Sequence, residues 1–407
     1  MLAEVVVLAQ DLAPAAGDPA ALKPWAYAIF LLLICAFLAL DLGVFHREAH
    51  VVSMKEAVTW SVIWLTCGVL FAGVVYLAYE NHWLGLGLST PMYNPNPGVG
   101  EEVIIRGEVL GSTAAKHYLT GYVVEKSLAM DNIFVIAMIF SYFAIPARYQ
   151  HRVLFWGILG ALVMRGIMIF LGAELVLRYT WILIIFGAFL LLTSAKMALV
   201  HGESDPSRNP VVRLARRLYP TVTFYDGQRF FTRRTVPPTY TTDPATGKMV
   251  MDPPPPGTLR TAGKAATPLF LALIMVEVTD LIFAVDSIPA IFAITPDPFI
   301  VFTSNILAIL GLRALYFCLA ALISRFRFLK PALILILAFV GVKLLLLSVP
   351  PYLPVLGLEA GRPVKIEAEV SLIAVLATLA GAVVLSILFP STPRANSGDP
   401  PAAPPGT

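Results

Sequence analysis

Between Ala265 and Thr295 the chain reads AATPLFLALIMVEVTDLIFAVDSIPAIFAIT, apolar enough to cross a bilayer yet carrying Glu277, Asp280 and Asp286. An ionised carboxylate at the bilayer centre costs about 3 kcal/mol on insertion scales, so such groups face a cavity, a partner or an ion. A second apolar stretch, EKSLAMDNIFVIAMIF, places Glu125 and Asp131 in the same predicament. With Asn132 and Ser287 beside them, these acids make an oxygen-rich set that contains no membrane-embedded His and no paired Cys. Hard carboxylate and amide oxygens suit Mg²⁺, Ca²⁺ or Mn²⁺, whereas Zn²⁺ and copper favour imidazole and thiolate. The chemistry expected of them is the handling of a transported divalent cation by Glu125, Asp131, Glu277, Asp280 and Asp286. Asp41, Asn132, Ser287 and Asn305 are candidate second-layer or pathway groups, and no permanently bound cofactor is expected. Met130 and Met275 lie close enough to add a thioether, which would favour Mn²⁺; as flexible side chains they more commonly only fill a core.

Five basic residues in the same apolar runs, Lys126, Arg165, Lys196, Arg313 and Lys343, carry the competing reading. In it the acids are structural counter-charges, or members of a proton relay. Helix geometry adds a constraint: at 100° per residue Glu277 and Asp280 share a face, while Glu277 and Asp286 point in opposite directions. Pro289 is therefore expected to kink or unwind the helix around 286–289, freeing carbonyls as further oxygen ligands.

The elements that must position these groups are helices in a membrane. Hydrophobic residues make up 58% of the 407 and charged residues 14%, a balance that excludes an ordinary soluble enzyme. Cys35, Cys67 and Cys318 all lie in apolar runs, with no CxxC pairing and no disulfide framework. Nine segments satisfy the length for spanning: 25–45, 57–79, 117–144, 151–175, 179–200, 267–294, 298–323, 331–349 and 369–389. The fold class expected is all-α, a polytopic helical bundle. Its parts are an N-terminal tail at 1–24, two leading helices at 25–80, a first repeat at 117–200, a connecting loop at 201–264 and a second repeat at 265–349. An extracytoplasmic loop and last helix at 350–389 and a disordered tail at 390–407 complete it. The loop carries ten basic against five acidic residues, short strands around Thr221–Thr235 and a proline-rich linker. Beside a membrane its basic residues read as a topology signal or a contact with anionic lipid, not with nucleic acid. No GxxxxGKS loop, HExxH or GxSxG occurs, so neither ATP-driven transport by this chain alone nor enzymatic activity is expected.

The two repeats are related. Glu125–Asp131 aligns with Asp280–Asp286, Arg165 with Arg313 and Lys196 with Lys343, at offsets of 155, 148 and 147 residues. Each repeat holds three spans, an odd number, so the second runs with opposite polarity and the bundle is a three-plus-three inverted repeat. Lys and Arg counts in the connections predict the same polarities: the odd connections are cytoplasmic, the N-terminus outside and the C-terminus inside.

The segment EKSLAMDNIFVIAMIF, with TPLFLALIMVEVTDLIFAVDSIPAIFAITPDPFIVFTSNILAILGLRALYF, resembles the signature segments of the TerC family, bacterial integral membrane proteins named for tellurium resistance. The resemblance covers residues 25–350. It implies a multi-pass inner-membrane protein whose embedded acids, at Glu125, Asp131, Glu277, Asp280 and Asp286, handle a metal, and members of the family are linked to manganese export. Others are tied to tellurite resistance or to assembly and metalation of exported proteins, which would make the chain a membrane scaffold with protein partners. The orientation is tested by reporter fusions: one after Pro238 is expected in the cytoplasm and one near Pro95 outside, and a periplasmic signal at Pro238 would overturn the inverted repeat.

Overall fold

Lipid offers backbone N–H and C=O groups no partners, so a chain of this composition satisfies them within helices. The computed structural model follows that rule. It describes residues 19–43, 53–94, 102–199, 219–242, 249–255, 257–259, 263–320, 328–350 and 366–389, with a few single positions between. Ten α-helices are described: α1 (Lys23–Gly43), α2 (Met54–Glu80), α3 (Gly111–Tyr142), α4 (Ala147–Arg178), α5 (Ile182–Leu199), α6 (Pro268–Phe292), α7 (Pro298–Ile309), α8 (Leu312–Ala320), α9 (Leu329–Ser348) and α10 (Ala368–Leu388). Seven of them are long and apolar enough to cross a membrane, and the pair α7–α8 counts as an eighth span. With α3, 32 residues long and carrying four charged residues, the described helices match the nine expected segments.

The polarity of the repeats can be read from who touches whom. Gly121 of α3 lies against Ile291 of α6, Asn132 bonds Asp280, and Phe140 shares a core cluster with Leu269. Residue numbers rising along α3 thus meet numbers falling along α6, and the two helices are antiparallel. A small β module in the long loop fixes the same point at the membrane surface. Strands β3 (Phe231–Thr232) and β6 (Ala265–Ala266) pair just before α6, and Thr267 Oγ1 donates to the carbonyls of Arg229 and Phe230. Tyr225 Oη in turn donates at 2.5 Å to the carbonyl of Phe143 at the end of α3, and burial pushes its phenol up to about 12. The end of α3 and the start of α6 therefore share one side. The expected short strands are present, together with a hairpin of β4 (Tyr240–Thr242) and β5 (Met249–Met251).

Helix contacts are what an exchange of the two triplets would preserve. α5 packs along α9, α4 against α6, and α3 against α7 and α8. At the α5–α9 crossing, Gly187 and Gly341 bring the backbones so close that a Cβ on either would sit about 3.1 to 3.2 Å from the other's carbonyl oxygen, the small-residue packing usual between membrane helices. The described connections at 81–94, 102–110, 179–181 and 293–297 gather at the opposite end. There Tyr79 Oη donates at 2.5 Å to buried Asp297, Tyr93 donates to the carbonyl of Phe292, and Lys23 donates at 2.7 Å to the carbonyl of Leu88. That end also contains a hairpin of β1 (Thr90–Tyr93) and β2 (Ile104–Gly107), which the sequence reading did not anticipate. Glu80 beside it accepts from the Gly111 amide at 3.0 Å and caps α3.

Two expectations need correction. The seventh span is not one helix over 298–323: it bends by 40° between α7 and α8. Gly311, at φ +78°, makes the turn against Trp64, and Lys126 Nζ donates to the carbonyls of Ala308 (2.9 Å) and Leu310 (3.2 Å) at the end of α7. Conversely, α6 is not unwound at Pro289 but continues helical to Phe292. Pro289 leaves the Val285 carbonyl without its amide partner, a single lost bond that the packing of α6 against α3 and α4 outweighs.

The Gly311 turn yields a stability test. Gly311→Ala is expected to cost about 2 kcal/mol or more, since a Cβ is strained at positive φ and overlaps Trp64. Gly73→Ala on α2, where nothing lies within 4 Å, is expected to be neutral or stabilising by up to ~1 kcal/mol. Thermal denaturation of the detergent-purified protein reads both, and equal effects would contradict this account of the bend.

Candidate metal and charge centre

Arg165 stands in the middle of α4, 1% exposed, in a helix otherwise apolar for a turn and more on either side. A guanidinium keeps its charge in any environment, presents five N–H donors in a rigid fork, and cannot be left unpaired away from water. Its partners come from three other helices. Glu125 of α3, fully buried, forms an ion pair with Nη1. Asp280 of α6 accepts from Nη2 at 2.9 Å and from Nε at 3.2 Å, a two-pronged contact. Ser287 of α6 and Asn305 of α7 accept from Nη1 at 3.4 and 3.0 Å. Asn132 of α3 donates to Asp280 at 3.3 Å and closes the knot.

The repeat explains why these groups meet. Glu125 and Asp280 are equivalent positions of the two triplets, and so are Asn132 and Ser287. Because α3 and α6 cross antiparallel, equivalent residues near the crossing approach one another, and Arg165 bridges the two acids. Its own equivalent, Arg313, is buried elsewhere, lining a cavity with Trp60 and Trp64.

The other expected residues fall around this centre. Glu277 lies one turn before Asp280 and packs against Gly160, which has no side chain to block it; its Oε2 is buried and has no hydrogen-bond partner among the described residues. Asp41 is in the last turn of α1, Asp131 in α3 and Asp286 in α6, but their side chains lie outside the described residues. Met275 packs with Ile139 and Leu269 in an apolar cluster, and the Met130 side chain is likewise outside the described set. Among the described residues no three His, Cys, Asp or Glu side chains form a ready metal cluster. Of the five basic residues, Lys343 donates to Ser371 of α10 at 2.7 Å, Lys126 caps α7, and Arg165 holds the acids.

Two small cavities, each about 20 Å³, flank the knot and share Asn132. One is bounded by Arg165, Ser287, Met197 and Leu333, the other by Asp280, Thr279, Gly157 and Leu154. That volume holds about one water-sized group. Both draw most of their lining from the half of the bundle nearest the α3–α4 turn, and Tyr79, Tyr93 and Asp297 are buried at the opposite end. Several buried polar atoms at the centre lack a well-formed hydrogen bond: both Glu125 oxygens, Asn132 Oδ1 and Asn305 Nδ2. The oxygens are unused acceptors, that of Asn132 on a residue lining both cavities, and form a donor set compatible with a hard cation.

The hub role of Arg165 was missed by sequence reasoning, which placed it among five equivalent counter-charges. Its position in the middle of the run GALVMRGIMIF was the available signal. Gly160 and the capping role of Lys126 left no signal, because both depend on neighbours distant in sequence. The expected cost of breaking the knot is large. Arg165→Gln is expected to destabilise by about 3–5 kcal/mol, because Glu125 is left buried and uncompensated. In a Glu125→Gln background the same change is expected to cost at least about 1 kcal/mol less, read as a coupling energy in a thermal double-mutant cycle; strict additivity would deny the ion pair its role.

Comparison with known proteins agrees with the helical bundle. The model of the family described as "Integral membrane protein TerC family" matches residues 110–393. The chain is 41% identical over 374 residues to "Uncharacterized membrane protein STKORF319" of Myxococcus xanthus, covering 92% of this chain and 95% of the relative. It is 43% identical over 327 residues to "Putative membrane-bound redox modulator Alx" of Escherichia coli (strain K12), covering 80% and 87%. An "Uncharacterized membrane protein" of Rickettsia bellii is 36% identical over 331 residues, 80% of this chain and 91% of its own. No solved structure matches. With its family match over most of the length and relatives of this identity along nearly their whole chains, the protein belongs to the TerC family of integral membrane proteins.

Proposed function

We propose that the protein exports a divalent metal ion, most simply Mn²⁺, by alternating access around the centre that α3 and α6 share. The observation that carries this reading is the convergence of repeat-equivalent carboxylates, Glu125 and Asp280, in the interior, beside two small cavities. An inverted pair of triplets around a midplane site is the architecture in which rocking of one triplet on the other exposes that site to each side in turn. Glu125 and Asp280 would take the ion with Asp131, Asp286 and Glu277, and Asn132 and Asn305 would supply amide oxygens. Transport would need neither covalent chemistry nor a permanently bound cofactor. In the orientation read from Lys and Arg placement, in a bacterial inner membrane with the N-terminus outside and the C-terminus in the cytoplasm, the cavities lie in the cytoplasmic half, the half from which an exporter loads.

One observation favours a second reading. Arg165 already supplies a counter-charge to Glu125 and Asp280, as a scaffold in tellurite resistance or in assembly and metalation of exported proteins would require. A redox role, which the printed name of the Alx relatives suggests for those proteins, would fall here on single thiols, Cys35, Cys67 and Cys318, on three different helices. Flux separates the readings. Inside-out vesicles are expected to accumulate ⁵⁴Mn²⁺ with the natural protein and about tenfold or more slowly with Asp280→Asn, a loss of the size that ligand substitutions produce. Equal accumulation by both would remove the export mechanism and leave the scaffold.

A further inference from the structure

We propose that Arg165 is the resident counter-cation of the empty carrier, holding Glu125 and Asp280 in the cation's absence and yielding them when the cation arrives. The inference rests on the transport reading and adds a step that reading does not specify: how the site crosses the membrane unloaded. Two carboxylates cannot be carried ionised and unpaired through a closed, low-dielectric state, because each charge would cost several kcal/mol. A carrier that returns empty therefore needs an internal positive charge, and Arg165 supplies one.

Three features of the geometry support the exchange. The guanidinium contacts the acids with Nε, Nη1 and Nη2, the same oxygens a cation would need, so ion and Arg165 compete for one place. The guanidinium also has a second set of acceptors ready: Nη1 reaches Asn305 Oδ1 at 3.0 Å and Ser287 Oγ at 3.4 Å, both buried groups. A small rotation toward these keeps the charge hydrogen-bonded while the carboxylates are released, and the cavity bounded by Arg165 and Ser287 offers the room. Finally, Glu125 oxygens and Asn132 Oδ1 are acceptors without a well-formed hydrogen bond, so the arrangement with Arg165 leaves lone pairs that a small, hard cation would use better. The repeat supplies only one such device at the centre, since Arg313 is placed beside Trp60 and Trp64.

A resident counter-cation has a kinetic signature that a structural ion pair lacks. Net efflux requires the carrier to return empty, whereas exchange of ⁵⁴Mn²⁺ for unlabelled Mn²⁺ requires only the loaded form to move in both directions. In proteoliposomes of the full chain, purified in Mn²⁺ and normalised to folded protein, Arg165→Gln is expected to lower net ⁵⁴Mn²⁺ efflux far more than exchange, so that the ratio of exchange to net efflux rises by about fivefold or more. It is also expected to bind ⁵⁴Mn²⁺ about tenfold more tightly in detergent, because the competitor is gone. Loss of exchange and net efflux together, or weaker binding, would show Arg165 to be part of the framework of the site and overturn the inference; unchanged net efflux would overturn it as well. If the natural protein itself shows neither exchange nor binding, it is the transport reading that fails. Should Arg165→Gln not accumulate, Arg165→Lys carries the test. Its single ammonium holds one acid less firmly, so net efflux is expected to fall several-fold with exchange retained, and an equal fall in both would overturn the proposal.

Discussion

A permanent positive charge in the middle of an apolar helix is the constraint around which the bundle is arranged. Arg165 cannot shed its proton, and lipid cannot solvate it, so helices carrying acceptors must close around it. α3 brings Glu125, α6 brings Asp280 and Ser287, and α7 brings Asn305, each from a different part of the chain. These four interactions tie both repeats to α4. Such a centre adds little net stability over an apolar core of the same volume, because desolvation offsets most of the Coulombic gain. It fixes instead which helices face each other and at what height, since any slip would leave a charge without a partner.

The repeat provides this arrangement with its economy. Two triplets of opposite polarity, crossing at α3 and α6, deliver equivalent residues to the same neighbourhood without any further design. The equivalence stops where function and packing differ. α4 is a continuous helix of 32 residues, whereas its counterpart breaks at Gly311 into α7 and α8. Lys126 of the first repeat binds the carbonyls exposed by that break, so the acidic motif of one triplet stabilises an irregularity in the other. Non-helical backbone at membrane depth persists where protein covers it, and here a lysine and a tryptophan do so.

The two ends of the bundle are tied by different devices. At one end, Tyr79 on Asp297, Tyr93 on the Phe292 carbonyl and the β1–β2 hairpin join elements far apart in sequence. At the other, the β module under the α3–α4 turn is tied by Tyr225 and Thr267, and the cavities lie in this half.

The class of the protein was legible in the sequence because lipid allows so few solutions: apolar runs of spanning length must be helices, and three spans per repeat force inverted polarity. The acids were legible for the same reason, since a carboxylate in such a run is too costly to be incidental. Glu125, Asp280, Asn132, Ser287 and Asn305 were all named from sequence, and tertiary structure brought all five together. What the sequence left open was which of five basic residues would meet them. Spacing along one helix says which groups share a face, but Arg165, Lys126 and Gly160 take their roles from neighbours on other helices, 40 to 184 residues away, set by the angle and height at which helices cross. The bend at Gly311 and the unbroken course of α6 through Pro289 were decided in the same way. Local propensity favours a break at proline and tolerates glycine in a span; Trp64 packed against Gly311, and the packing of α6 against α3 and α4, reversed that expectation.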